Sequence, residues 1–152
     1  RGGDGDVTRR AEALAVLVRA PAGLVYAVLT DVDGWDVWWP GCTTSRDPGG
    51  ADDGDDHHHL VLTAGRRRIR LHAAVGGWRH DRGARIAATG RAGTSAAGEW
   101  WLEPRPDGCV VHLLVTAEGR RADRLVRLLG SWLQALKDHL ELAVAVADGR
   151  VP

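Results

Sequence analysis

The chain has 152 residues, 44% of them hydrophobic, and its 20 Lys and Arg residues balance 20 Asp and Glu residues. A neutral chain of this length is typical of one soluble domain and lacks the basic excess of a dedicated nucleic-acid binder. Two cysteines are too few for a disulfide scaffold, and no apolar run is long enough for a membrane span. We therefore expect a cytoplasmic protein with reduced thiols.

The first elements follow from short local patterns. Residues 1–10 are rich in Gly, Asp and Arg and predict a flexible tail, and the apolar stretch at 11–20 predicts a strand. The segment after Pro21 predicts a helix, because proline suits a first helical turn and the following apolar residues recur at helical spacing. The stretch "WDVWWP" predicts a second short helix that ends at Pro40.

The middle of the chain predicts a sheet with one apolar face. Between residues 57 and 117, short strand-like segments alternate with Gly-rich breaks, a spacing typical of antiparallel hairpins. In the hairpin around Gly65, placing Leu62 opposite Ile69 collects the apolar residues on one face and mainly polar residues on the other. Such a sheet needs a cover. Residues 120–147 predict one long amphipathic helix that supplies it.

Two stretches resemble a known family. "VRAPAGLVYAVLTDVDGWDVWWPGC" at 18–42 is similar to the opening of the START-like or SRPBCC superfamily, in particular its polyketide cyclase/dehydrase-like group. "GEWWLEPRPDGCVVHLLV" at 98–115 resembles the late hairpin of that group. The resemblance implies an α+β helix-grip fold, a curved antiparallel sheet of about seven strands around a C-terminal helix, as a single domain over 11–148. It also implies a cavity for a lipid- or polyketide-like molecule between sheet and helix.

Tryptophan supplies most of the aromatic surface, since the chain has seven Trp, one Tyr and no Phe. We expect Trp35 in the core and either Trp38 or Trp39 at the pocket mouth. Alternation along a strand predicts that Trp100 points inward and Trp101 outward. The candidate ligand-binding residues share an inward-facing position in this arrangement: Trp38, Trp39, Leu62, Ile69, Leu71, Trp78, Ile86, Trp100, Leu129, Trp132 and Leu136.

Reactive side chains are few. His112 lies in an apolar strand and Arg79 follows a predicted Gly-Gly bulge, so both are weak candidates for acid–base catalysis in a cavity. His57, His59 and His72 share one strand face in the predicted register and form a weak candidate metal site. We expect no metal and no cofactor, because that face is solvent-exposed in the prediction and no neighbouring group orients the rings.

Three functions remain open from the sequence. The first is binding of a small hydrophobic molecule, the second a polyketide aromatase/cyclase or related lyase, and the third a protein-interaction module with a filled core. A cavity smaller than benzene would contradict both the binding and the enzyme hypothesis and favour the third, and a cavity that no ionisable side chain reaches would contradict the second. The arginines at 66–91 predict a solvated face balanced by the acidic loop at 46–56, or a docking surface for an acidic carrier protein. The oligomeric state stays open.

Overall fold

The computed structural model of this protein describes residues 8–47, 54–79 and 82–150. Seven strands and three α-helices lie within them, together with a short 3₁₀ turn at Val32–Gly34 that precedes the second helix. In chain order the elements are β1 (Arg9–Val18), α1 (Ala22–Thr30), α2 (Trp35–Trp38), β2 (Cys42–Arg46), β3 (Asp56–Ala64), β4 (Arg67–Arg79), β5 (Gly83–Thr89), β6 (Ser95–Arg105), β7 (Gly108–Glu118) and α3 (Ala122–Ala147).

The seven strands form one antiparallel sheet in the order β1-β7-β6-β5-β4-β3-β2. In the hairpin between β3 and β4, Leu62 pairs with Ile69 and Leu60 with Leu71, which confirms the predicted register. These side chains are buried, whereas Arg68 and Arg70 on the other face are exposed. The predicted α+β helix-grip architecture is therefore confirmed, with a concave apolar face and a convex polar face.

The Gly-Gly pair in β4 interrupts the sheet, as predicted. Gly77 has φ +62°, a conformation that side chains beyond glycine rarely adopt. The pairing between β4 and β5 shifts register between Gly76 and Arg79. The bulge changes the direction in which Trp78 and Arg79 point relative to the rest of the strand.

Helix α3 lies across the concave face and packs mainly against β1 and β7. On its β1 side, Lys137 Nζ donates a hydrogen bond to the carbonyl oxygen of Leu17 at 2.8 Å. Glu141 accepts one from the backbone N–H of Arg19 at 2.9 Å. Because these two hydrogen bonds hold α3 at the β1 edge, the space between α3 and the sheet lies on the side away from β1.

Two predicted boundaries need correction. Arg9 and Arg10 belong to β1, so they are not part of the predicted tail at 1–10, whose residues 1–7 lie outside the described residues. Arg46 and Asp56, at the ends of the predicted acidic loop, lie in β2 and β3, and residues 48–53 of that loop are also outside the description. Among the described helices, none is both long and apolar enough to cross a membrane.

Candidate functional site

A small cavity of about 40 Å³ lies between the concave face of the sheet and α3. Its walls come from α2, from the central strands and from one side of α3. Among the described residues, all of the lining side chains are apolar or aromatic, and none of them is ionisable. The lining residues are Trp35, Trp39, Leu60, Leu62, Leu71, Ile86, Ala88, Ala96, Ala97, Gly98, Trp100, Leu113, Leu125, Leu129 and Trp132.

Tryptophans close one end of the cavity. The ring centroids of Trp35 and Trp132 are 5.6 Å apart, and those of Trp35 and Trp39 are 6.3 Å apart, both in edge-to-face contact. Trp35 Nε1 donates to the carbonyl of Leu29 at 3.2 Å, and Trp39 Nε1 donates to Ser131 Oγ at 3.3 Å. Trp35 is buried in the core, as expected. It also lines the cavity beside Trp39, because residues four apart share one helix face.

Trp38 does not reach the cavity, contrary to the prediction. It lies on the other side of α2, in a surface groove that Ser131 and Leu142 of α3 help to form. Its ring stacks on His139 with centroids 6.3 Å apart and an interplanar angle of 21°. Of the two tryptophans expected at the pocket mouth, Trp39 therefore faces the cavity and Trp38 does not.

The structure places seven of the eleven predicted ligand-binding residues in the lining: Trp39, Leu62, Leu71, Ile86, Trp100, Leu129 and Trp132. Besides Trp38, three predicted residues lie elsewhere. Ile69 and Leu136 are buried in the packed core outside the cavity wall. Trp78 is half-buried after the bulge and packs against the core.

The sequence interpretation missed the small residues that create the space. Ala88, Ala96 and Gly98 face the cavity from β5 and β6, and Ile86 pairs with Gly98 while Ala88 pairs with Ala96. The signal was available, because alternation from Ile86 and from Trp100 places these residues on the inner face. A cavity forms where short side chains lie opposite one another, and that pairing depends on the register between strands.

Both weak catalytic candidates point away from the cavity. His112 lies on the convex face, where its ring stacks on Trp101 at 5.1 Å and its Nε2 lies 2.9 Å from Glu103 Oε1. That hydrogen bond is the main cause that lowers the pKa of Glu103. Arg79 donates to Glu99 Oε1 at 2.7 Å on the exposed surface. His112 pairs with Trp101, so the alternation that sends Trp100 inward sends His112 outward. Arg79 has the parity of the inward Leu71 and Val75, and the bulge at Gly76 and Gly77 turns it outward.

The histidine cluster is assembled on the convex face of the sheet, in the predicted register. His59 pairs with His72 as predicted, and the rings of His57 and His72 are stacked 5.1 Å apart. Asp47 Oδ2 lies 3.5 Å from His59 Nε2 and 3.4 Å from His72 Nε2. Nevertheless, among the described residues no three His, Cys, Asp or Glu side chains are arranged to hold a metal ion.

His58 is a buried histidine that the sequence interpretation overlooked. Its side chain faces inward and is 1% exposed. The neighbouring His57 and His59 lie on the other face of β3. Its Nδ1 lies 3.2 Å from Asp33 Oδ1, but neither ring nitrogen makes a hydrogen bond of good geometry within the described residues. Burial lowers the pKa of His58, and the nearby Asp33 carboxylate offsets this in part.

The two cysteines offer no nucleophile. Cys42 and Cys109 are free and buried. Burial, together with the charge of Asp36, raises the pKa of Cys42 to about 12. Burial also raises the pKa of Cys109. Both thiols are therefore protonated at neutral pH, and the thiolate is the reactive form.

A family model described as "Polyketide cyclase / dehydrase and lipid transport" matches residues 9–144. The chain belongs to this family. The match begins at the first residue of β1 and ends in the last turns of α3, so it includes every element that encloses the cavity. No curated protein sequence matches the chain significantly.

Solved structures share the fold at low sequence identity. The Zhui aromatase/cyclase from Streptomyces sp. R1128 superposes with a TM-score of 0.73 at 17% identity, over 92% of this chain and 98% of that one. Ara h 8.0201 gives 0.66 at 12% identity, over 88% and 98%. The di-domain ARO/CYC StfQ from the steffimycin biosynthetic pathway gives 0.69 at 14% identity, over 91% of this chain and 52% of that one.

Proposed function

We propose that this protein binds a small hydrophobic molecule, lipid- or polyketide-like, between the sheet and α3. The observation that carries the proposal is the cavity whose lining is apolar throughout. An apolar wall favours an apolar ligand, because each Å² of apolar surface removed from water contributes roughly 25 cal/mol before ordering costs. The family description, which includes both polyketide chemistry and lipid transport, supports the same ligand class.

A cavity smaller than benzene counts against both ligand hypotheses as the protein stands, so the proposal requires the cavity to widen when a ligand enters. An apolar cavity of about 150 Å³ is known to hold benzene, and the present one measures about 40 Å³. Within the described part of the chain, two side-chain hydrogen bonds connect α3 to the elements across from it: Trp39 with Ser131, and Arg121 Nη1 with the carbonyl of Arg68 at 3.3 Å. Each contributes about 1 kcal/mol. The burial of a ligand is large enough to offset their loss.

A thermal-shift screen against fatty acids, flavonoids and polyketide-like aromatics tests this proposal. A ligand at about 100 times its Kd stabilises a protein of this size by about 2.7 kcal/mol, or roughly 5 °C or more. We expect Ala88→Val, whose larger side chain fills the cavity from β5, to require at least about tenfold more ligand for the same shift. Ala87→Val, on the exposed face of the same strand, is the matched control and keeps the shift.

Two results would contradict the proposal. One is a panel in which no compound stabilises the wild-type protein. The other is an equal ligand response in Ala88→Val and wild type. Trp100→Ala is a poorer probe, because removing a tryptophan that is 2% exposed costs about 3–5 kcal/mol of stability by itself.

The aromatase/cyclase alternative has the family description and the likeness to the Zhui enzyme in its favour. It needs a group that transfers protons, and the described lining contains no ionisable side chain. We therefore place binding before catalysis.

The alternative of an interaction module with a filled core is favoured by the small cavity volume, and a negative ligand screen would select it. Docking to an acidic carrier protein stays a prediction.

A further inference from the structure

The charges of this neutral chain are unevenly distributed. Nine arginines occupy three short segments: four lie within residues 66–70, four lie within residues 120–127, and the ninth is Arg91. Within the neighbouring ranges 64–71, 89–95 and 117–127 the carboxylates are Glu118 and Asp123. Both of these pair with arginines of β1, Arg9 and Arg10. None of the nine arginines forms an ion pair with a carboxylate in the part of the chain that the structure describes.

These arginines gather at one end of the molecule. The turn after β5 contacts β4, because a Cβ on Gly90 would lie 2.9 Å from the carbonyl oxygen of Arg70. The turn before α3 contacts the same loop, because a Cβ on Gly119 would lie 3.1 Å from the carbonyl oxygen of Gly93. The β3–β4 hairpin, the β5–β6 loop and the start of α3 therefore form one surface, here named the basic end.

We name as the mouth the gap on the side of α3 away from β1, which the hydrogen bonds of Trp39 with Ser131 and of Arg121 with Arg68 bridge. The basic end adjoins this gap. Arg121 lies one and two helical turns before Leu125 and Leu129, which line the cavity, and it reaches across to the carbonyl of Arg68. Arg67 shares the inner face of β4 with Leu71, another lining residue. Arg124 precedes Ser131, the partner of Trp39, by two turns on the flank of α3 that faces this opening.

We propose that the ligand is an amphiphile whose anionic end, a carboxylate or a phosphate, is held at the mouth by Arg67, Arg121 and Arg124. The inference rests on the proposed function. The cavity wall is apolar and admits only the apolar part of a ligand, so a polar end must stay at the mouth. The side chains available there are guanidinium groups without carboxylate partners, which pair with planar or tetrahedral oxyanions through two parallel hydrogen bonds.

The experiment compares decanoate, decyl phosphate and 1-decanol, which share one alkyl chain and differ in the end group. Kd values are measured by displacement of an apolar fluorescent dye at low and at 0.5 M salt. We expect both anions to bind at least about tenfold tighter than decanol at low salt. The added salt reduces this preference. The two anionic compounds show which oxyanion the mouth prefers.

Variants locate the effect. In Arg67→Gln/Arg121→Gln/Arg124→Gln the anions are expected to bind no better than decanol. Arg82→Gln/Arg105→Gln/Arg150→Gln changes the net charge equally but leaves the mouth intact, and it keeps the preference. Circular dichroism and Tm verify that both triple variants fold, and the three single variants provide the same comparison if the triple variant does not.

The outcomes separate this inference from the proposed function. Equal Kd values for all three compounds would overturn the inference while leaving hydrophobic binding in place. Equal losses in the two triple variants would overturn it too, since net charge would then suffice. Adsorption of the protein to anionic vesicles without any preference among the free compounds would assign the basic end to a membrane surface instead. If the dye binds but none of the three compounds displaces it, the inference fails alone, and if neither the dye nor any compound binds, the proposed function fails as well.

Discussion

The imidazole of His58 lies on the concave face of β3, opposite Arg46 of β2 and Ala73 of β4. Asp33 approaches it from the 3₁₀ turn, and Asp56 and Arg46 are the other charged groups that act on it. Burial has the largest effect and lowers the pKa of His58, so the folded protein favours the neutral ring. Alternation along β3 predicts this inward direction, because His58 shares its face with Leu60 and Leu62.

His58 makes stability depend on pH in a defined direction. Its folded pKa is lowered below the unfolded value of about 6.5, so the unfolded chain binds the proton more readily. The free energy of unfolding should therefore fall as the pH drops through about 6.5. We expect His58→Leu to reduce this slope in urea denaturation curves between pH 8 and pH 5. His59→Leu, on the other face of β3, is the control, and an unchanged slope in His58→Leu would contradict the assignment.

At the scale of the element, the turn between α2 and β2 depends on one glycine. Gly41 has φ +82°, and a Cβ at this position would lie 2.5 Å from the carbonyl oxygen of Thr63. The carbonyl of Gly41 accepts a hydrogen bond from the N–H of Thr63 at 2.7 Å. This hydrogen bond and the close backbone approach hold the turn after α2 against β3. The sequence showed a Pro-Gly break here, but the neighbour that makes glycine necessary comes from a strand distant in the chain.

Replacing Gly41 should therefore differ from replacing a glycine in open space. We expect Gly41→Ala to lower the free energy of unfolding by about 1–3 kcal/mol, from backbone strain and the contact with Thr63. Gly23→Ala is the matched control, because it lies in α1 with no atom near its Cβ position. That change should raise stability by up to about 1 kcal/mol. Chemical denaturation measures both, and a stable Gly41→Ala would show that the turn relaxes.

At the scale of the whole molecule, α3 is held more firmly on one side than on the other. On the β1 side, Lys137 bonds to the carbonyl of Leu17 and to Glu141, and both side chains are about three-quarters buried. Burial would raise the pKa of Glu141, but the hydrogen bonds from Lys137 and from the N–H of Arg19 outweigh it and lower that pKa. On the mouth side, the side-chain hydrogen bonds among the described residues are the half-buried one from Trp39 to Ser131 and the exposed one from Arg121 to the carbonyl of Arg68.

This asymmetry predicts which contacts stabilise the fold and which control access. Lys137→Met removes a charged donor from two partners and should cost about 1–3 kcal/mol of unfolding free energy. Ser131→Ala removes one neutral hydrogen bond, that from Trp39, and should cost about 1 kcal/mol, less than the loss of the charged donor. It should nevertheless speed the entry of an apolar dye in stopped-flow measurements. Equal stability losses in the two variants would show that α3 is held evenly on both sides.

The sequence by itself determined the architecture, since binary patterning and turn residues act over a few neighbouring positions. Alternation around Leu62 and Ile69 set the hairpin register, and the apolar stripe of 120–147 identified the covering helix. The tertiary structure decided the site. Whether Trp38 or Trp39 faces the cavity, and where Ala88 and Gly98 leave space, depends on elements distant in the chain meeting at particular angles. Such contacts leave no local pattern, because they are formed only when sheet and helix pack together.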